Sequence, residues 1–262
     1  MISSDTQRVP RLNRLRDLWA EGGCAYGVIA TIPSVQTVQV LARSGLDFMI
    51  IDMEHGPIDP LSAHAMIAAT GGTPLVPLVR VSGKEPWHAK IPLDIGAMGV
   101  CFPMTSERAD AEAVVRAVRY PPAGERYWGP FFAPLRWGVT MRDYLDRADE
   151  EVLAVGVLES VDALGTAGEV AATPGLDMVC IGPGDLATSM GLRGQSDHPD
   201  VQAAIASFET AVRGSQVVLG GVALNAQQGR AMRERGYRAL VIGFDWSLLQ
   251  RGINAAMEGM PN

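Results

Sequence analysis

Phe48-Met49-Ile50-Ile51-Asp52-Met53-Glu54-His55-Gly56-Pro57 decides how the rest of the chain is read, because an apolar run stops abruptly and two acids and a histidine follow at once. Residues 48–51 suit a strand covered on both faces, and Gly56-Pro57 then breaks the pattern. A buried strand ending in this way delivers polar chemistry to the rim of a sheet. Taken alone, the stretch also fits a polar strand end running into a solvated loop, so the remaining sequence has to separate the two.

Working outward, short apolar runs recur at 25–30, 48–52, 75–80, 99–103, 153–159, 178–181, 217–222 and 239–242. Helical periodicity fills 34–44, 60–70, 85–93, 106–118, 161–172, 199–213, 225–234 and 246–257, and an amphipathic helix at 9–21 precedes the first strand. Strand followed by helix, repeated, implies parallel strands joined by right-handed crossovers. Eight such units in 262 residues predict an α/β fold, a single (β/α)8 TIM barrel over 1–262; a doubly wound sheet would need fewer strands or a second domain. No Gly/Ser- or Pro-rich linker divides the chain, and residues 1–8 are expected to form a flexible N-terminus. The one long interruption, 120–151, carries Pro121, Pro122, Pro130 and Pro134 among Tyr127, Trp128, Phe131, Phe132 and Trp137. It reads as a long loop that either covers the active site or packs against a neighbouring subunit.

Composition narrows the function. With 47% hydrophobic and 19% charged residues the chain is that of a globular enzyme or binding protein, and a net charge of -7 opposes nucleic acid as the main partner. The polar segment 1–10 lacks the apolar core of a signal peptide, and no apolar run reaches membrane-spanning length, so a cytoplasmic protein without a membrane partner is expected. Cys24, Cys101 and Cys180 are odd in number, widely spaced and in apolar surroundings, which predicts buried free thiols rather than disulfides or a zinc site.

Barrel enzymes place their chemistry at the C-terminal strand ends. There the sequence has Asp52 with Glu54 and His55 beyond it, Arg80, Glu159, and Gly182-Pro183-Gly184-Asp185. One charged strand end is ordinary; four converging on one mouth are hard to explain by solvation. Glu159 and Asp185 are hard oxygen ligands suited to Mg²⁺ or Mn²⁺, although each acid alone could be a helix cap or an ion-pair partner, and Asp185 could cap a short helix beginning at Leu186. Gly182 and Gly184 allow close backbone approach to a ligand. Arg80 can bind a carboxylate or phosphate bidentately or form a structural ion pair. His55 is the best candidate general base, whereas His64 and His88 fall within helices and His198 precedes Pro199 at a helix start. Only Lys84 and Lys90 occur and neither ends a strand, which disfavours a Schiff-base lysine; no glycine-rich phosphate loop follows a strand, so a nucleotide cofactor lacks support.

Asp52-Met53-Glu54-His55-Gly56, Val79-Arg80-Val81, Leu93-Asp94-Ile95-Gly96-Ala97, Arg119-Tyr120-Pro121-Pro122-Ala123-Gly124, Leu158-Glu159-Ser160 and Ile181-Gly182-Pro183-Gly184-Asp185-Leu186 together resemble the HpcH/HpaI aldolases, and the likeness runs over about 27–249. The resemblance implies a divalent-metal-dependent class II pyruvate aldolase on a (β/α)8 barrel, with Mg²⁺, Mn²⁺ or Co²⁺ held by Glu159 and Asp185. It implies that Arg80 binds the pyruvate carboxylate and stabilises the enolate, and that His55 serves as catalytic acid/base. Asp94 would pair with that histidine from an adjacent subunit, Asp52 would line the site, and Gly182, Pro183 and Gly184 would contact substrate. Glu54 is left as an indirect metal contact through water or a structural partner. A homohexamer with helix 246–257 exchanged between partners is also implied.

Two departures bear on specificity: Val157 stands where such enzymes often carry glutamine, and Arg126-Tyr127-Trp128-Gly129 replaces a frequent Arg-Gly pair. The expected reaction is cleavage of 4-hydroxy-2-oxo acids to pyruvate and an aldehyde, or the reverse addition. Its rivals are an oxaloacetate decarboxylase or macrophomate-synthase-like enolate enzyme and, in another class, a non-catalytic ligand-binding barrel.

Overall fold

The apolar runs of the sequence become strands and the periodic segments between them become helices, over the residues 11–260 that the computed structural model describes. In chain order these are α1 (Arg14–Ala20), β1 (Ala25–Ala30), α2 (Val35–Leu41), β2 (Phe48–Asp52), α3 (Pro60–Ala68), β3 (Val76–Arg80), α4 (Lys90–Asp94), β4 (Gly99–Phe102), α5 (Arg108–Val118), α6 (Ala133–Trp137) and α7 (Met141–Glu151). There follow β5 (Leu153–Leu158), α8 (Ala167–Ala171), β6 (Met178–Ile181), α9 (Pro183–Ser189), α10 (Pro199–Val212), β7 (Val218–Val222), α11 (Ala226–Glu234), β8 (Tyr237–Phe244) and α12 (Asp245–Met257). The strands pair in sequence order, all parallel, and β8 closes on β1, so the architecture is the expected (β/α)8 barrel. The flexible segment expected at 1–8 lies outside the described residues.

Strands β2, β4 and β5 are buried along their whole length, as strands covered by helices outside and by the barrel interior inside must be. Helix starts follow their caps: Ser34, Asp59, Thr140 and Asn225 each accept a backbone N–H from the first turn. At the N-terminal end of the barrel, Asn13 is fully buried, donates to the carbonyls of Met98 and Glu151 and receives Leu15 N–H, while Leu15 and Trp19 of α1 plug the floor.

Several boundaries differ from expectation. The segment 120–151 is not one long loop: α6 and α7 occupy its second half. Thr140 caps α7 and Tyr144, Ala148 and Glu151 form its buried face, a spacing masked by six charged neighbours. The helix expected at 161–172 splits into a 3-10 turn, Val161–Ala163, and α8, with Gly165 between them. The one at 85–93 opens as a 3-10 turn, Pro86–Ala89, before α4, where Pro92 is tolerated because a first-turn N–H has no intrahelical acceptor. The first helix starts at Arg14. Helix α9 starts at Pro183, whose fixed φ suits the first helical position, so Asp185 lies inside the first turn and does not cap a helix from Leu186. Among the described residues no helix is long and apolar enough to cross a membrane.

Candidate active site

The C-terminal strand ends open into a cavity of about 590 Å³, and Asp52, His55, Arg80, Glu159, Gly182, Pro183, Gly184 and Asp185 all line it. Adjacent strands produce its most tightly held pair. Asp52 and Arg80 are in register on β2 and β3; Arg80 Nε donates to Asp52 Oδ1 at 2.9 Å and Nη2 to Oδ2 at 2.7 Å. Asp52 Oδ1 also accepts the N–H groups of Glu54 and His55, so one carboxylate shapes the turn after β2. Burial opposes the charge on Asp52, but the Arg80 hydrogen bonds and charge outweigh it and hold the carboxyl below its usual range.

The bidentate face of Arg80 is thus committed to a protein carboxylate, and no atom among the described residues takes its Nη1. Glu54 Oε2 lies 3.2 Å from Arg80 Nε, whose single hydrogen goes to Asp52; Oε2 is consequently buried with no hydrogen-bond partner. Burial raises the Glu54 pKa against the pull of Arg80. The His55 ring is largely exposed at the mouth, with Nε2 3.8 Å from Glu54 Oε1.

Glu159 is buried just beyond β5, and Met104 N–H donates to its Oε1 at 2.6 Å. Burial pushes its pKa up to about 7; the Met104 N–H opposes this, while the Glu54 and Asp185 carboxylates reinforce it. Gly182 is required here: a Cβ would stand 2.9 Å from both Cβ and Oε2 of Glu159. Asp185 is exposed on the first turn of α9, facing the same space.

Four carboxylates around one guanidinium leave an excess of negative charge. An orphaned Glu54 oxygen and a Glu159 held near neutrality are the features a cation would relieve, so the donor set fits a divalent metal. Among the described residues no group of three His, Cys, Asp or Glu side chains is spaced to cage an ion. Glu159 and Asp185, both lining the cavity, are the carboxylates that could hold one, with positions left for water and substrate.

Asp94 is not brought to this cavity. At the end of α4 it accepts from Arg126 Nη2 at 3.3 Å, and burial raises its pKa against that cation. Arg126 is buried with Nε and Nη1 unpartnered; its guanidinium lies 4.5 Å from the Tyr120 ring centroid and donates to Tyr144 Oη at 2.8 Å. His64 packs on Phe132, His88 pairs with Glu85 and His198 caps α10, all structural roles. Lys84 pairs with Asp110, and neither lysine lines the cavity.

The three cysteines are free, but only Cys101 is buried; Cys24 and Cys180 are half-buried, Cys180 because it faces the cavity. Burial pushes Cys180 up to about 12 and Cys101 well above its usual value, so both thiols on the cavity wall are neutral. Sequence reasoning missed Met104, Arg126 and the Asp52–Arg80 pair. The last had a signal: successive strands ending in opposite charges.

The family model described as HpcH/HpaI aldolase/citrate lyase matches residues 31–251. A hydroxypyruvate/pyruvate aldolase from Pseudomonas aeruginosa is 34% identical over 243 residues, covering 92% of this chain and 90% of the relative. A 4-hydroxy-2-oxo-heptane-1,7-dioate aldolase from Klebsiella pneumoniae is 33% identical over 244 residues, covering 93% and 92%. The crystal structure of an HpcH/HpaI aldolase/citrate lyase family protein from Burkholderia cenocepacia superposes with a TM-score of 0.85 at 34% identity, covering 94% of this chain and 97% of that one.

Proposed function

Because the chain belongs to the HpcH/HpaI aldolase/citrate lyase family, we propose that it is a class II pyruvate aldolase, a carbon–carbon lyase that splits 4-hydroxy-2-oxo acids into pyruvate and an aldehyde and joins them in reverse. The observation that carries this reading is the meeting of Arg80, fixed by Asp52, with the surplus carboxylates Glu54, Glu159 and Asp185 at one barrel rim.

Glu159 and Asp185 would hold Mg²⁺, Mn²⁺ or Co²⁺, which when bound supplies Lewis-acid polarisation of the 2-oxo group. Arg80 presents Nη1 to the 2-oxo acid and balances the negative charge that develops as the enolate forms, while Asp52 keeps the guanidinium from turning. His55 takes the proton of the 4-hydroxyl. The C3–C4 bond then breaks, its electron pair passing to C3 and the 2-oxo group, and the aldehyde departs; protonation at C3 completes pyruvate. The backbone at Gly182, Pro183 and Gly184 lies close enough to the cavity to meet substrate oxygens, and Glu54 acts indirectly, through water.

Asp94 serves the His55 of a neighbouring subunit in a homohexamer, which accounts for its absence from the cavity of its own chain. Helix α12 supports an assembly: of its residues only Asp245 is buried, and Leu249, Ile253 and Met257, away from the cavity, are exposed.

Exchange of the pyruvate methyl protons in D₂O, followed by NMR, tests the reading. Exchange should require a divalent cation and vanish in Arg80→Ala. Its absence with all three metals would reject the enolate chemistry, and covalent trapping of pyruvate by borohydride would reject the class II assignment.

A further inference from the structure

The walls of the cavity are chemically unequal. Among the described residues, the β2, β3, β5 and β6 ends carry every aspartate, glutamate, histidine and arginine that lines it, whereas the side built by β7, β8 and their following turns presents Val222, Leu224, Phe244 and Trp246. Leu224 and Trp246 are over half exposed, at 52% and 55%, so this apolar side reaches out to the mouth. Deeper in, Val157 and the neutral thiols of Cys101 and Cys180 extend the same apolar surface beneath the acids. Among the described residues Arg80 is the only arginine or lysine lining the cavity, and its Nε and Nη2 are spent on Asp52. Behind the apolar side, Arg251 donates to the carbonyls of Leu224 and Ile242.

From this distribution we infer the substrate class, resting on the aldolase reading above: the acceptor is an uncharged apolar aldehyde, and the substrates are monocarboxylic 4-hydroxy-2-oxo acids with a hydrocarbon substituent at C4. The first carboxylate, next to the 2-oxo group, has Arg80. A second carboxylate at the far end of the chain would meet no arginine or lysine on the apolar side among the described residues, while losing hydration. A methyl group in the same position loses nothing and gains contact with Leu224, Phe244 or Trp246. The preferred substrate thus differs from the one that the name of the Klebsiella relative specifies, a seven-carbon dioate.

The matched pair 4-hydroxy-2-oxoheptanoate and 4-hydroxy-2-oxoheptane-1,7-dioate tests this, since the two differ only in a terminal methyl or carboxylate. With the metal-loaded enzyme, kcat/KM should favour the monoacid by about tenfold or more, the scale on which a pocket discriminates a mismatched polar group. Leu224→Arg, read as the ratio of the two substrates so that any loss of folded enzyme cancels, should move the preference toward the dioate. Equal rates, or a preference for the dioate in the wild type, would overturn the inference. So would failure to cleave either substrate while pyruvate methyl exchange persists; loss of that exchange as well would overturn the aldolase reading and this inference with it.

Discussion

Asp52 and Arg80 sit opposite each other across the β2–β3 seam and share two hydrogen bonds, 2.9 and 2.7 Å, with the Asp52 side chain wholly out of contact with solvent. The pair does two things at once. It neutralises a buried carboxylate, and it fixes the plane of a guanidinium that lines the cavity.

Removing the two functions separately gives a prediction. Arg80→Ala leaves Asp52 buried and unpaired, which should destabilise the fold by about 3–5 kcal/mol; loss of one charge-stabilising donor should depress kcat by about 10²- to 10³-fold. Arg80→Lys retains a cation near Asp52 but not the planar fork. It should recover much of the stability and little of the turnover. Denaturant unfolding and steady-state cleavage measured on both variants check this; equal recovery of both would mean that Arg80 acts only as a counter-ion.

Glu159 gives a pH prediction with an unusual sign. Its folded-state pKa is raised to about 7, chiefly by burial. Between the unfolded value, about 4.3, and 7 the folded state therefore binds more protons than the unfolded one. The contribution of this group to stability is most favourable in acid and declines as pH rises through that window. Metal-free protein should lose thermal stability relative to Glu159→Gln between pH 5 and 7.5, and Mn²⁺ should raise Tm more at pH 7.5 than at pH 5, where protons compete for the ligand. A wild-type curve parallel to that of Glu159→Gln would remove the buried-acid account.

The barrel and most of the cavity lining were legible because they depend on local signals. Apolar runs of strand length ending in Asp52, Arg80 and Glu159 announce both the strands and the polar rim. What stayed hidden depends on distance in sequence. Met104 reaches Glu159 through its backbone from a left-handed residue, φ 49°, and nothing in its side chain suggests this. Helix α7 was masked by a charged surface, and Arg126 by lying in a Pro- and aromatic-rich stretch that reads as loop while its side chain is buried between two tyrosines.

Helix α12 supplies a prediction about assembly. Leu249, Ile253 and Met257 recur at helical spacing and are all exposed in the single chain, a stripe suited to burial against a second copy. Ile253→Glu should lower the mass observed by sedimentation velocity and make Tm more dependent on protein concentration. A wild-type protein that sediments as a monomer throughout the micromolar range would rule out the hexamer.

Asp94 is half-buried and held by groups of its own chain. Arg126 Nη2 holds Oδ1 at 3.3 Å, while Oδ2 lies under Gly129, where a Cβ would stand 2.9 Å away. The Arg126 guanidinium has two buried nitrogens without partners, so this aspartate is its single ionic contact among the described residues. If Asp94 orients the His55 of the next subunit, His55→Ala and Asp94→Asn are each defective in every site of their own homo-oligomers. A mixed assembly, however, contains interfaces at which an intact His55 meets an intact Asp94. Co-expressing the two variants with different affinity tags and isolating the doubly tagged species should recover cleavage that neither variant shows alone. Persistently inactive hybrids of correct mass would place the Asp94 contribution within its own chain.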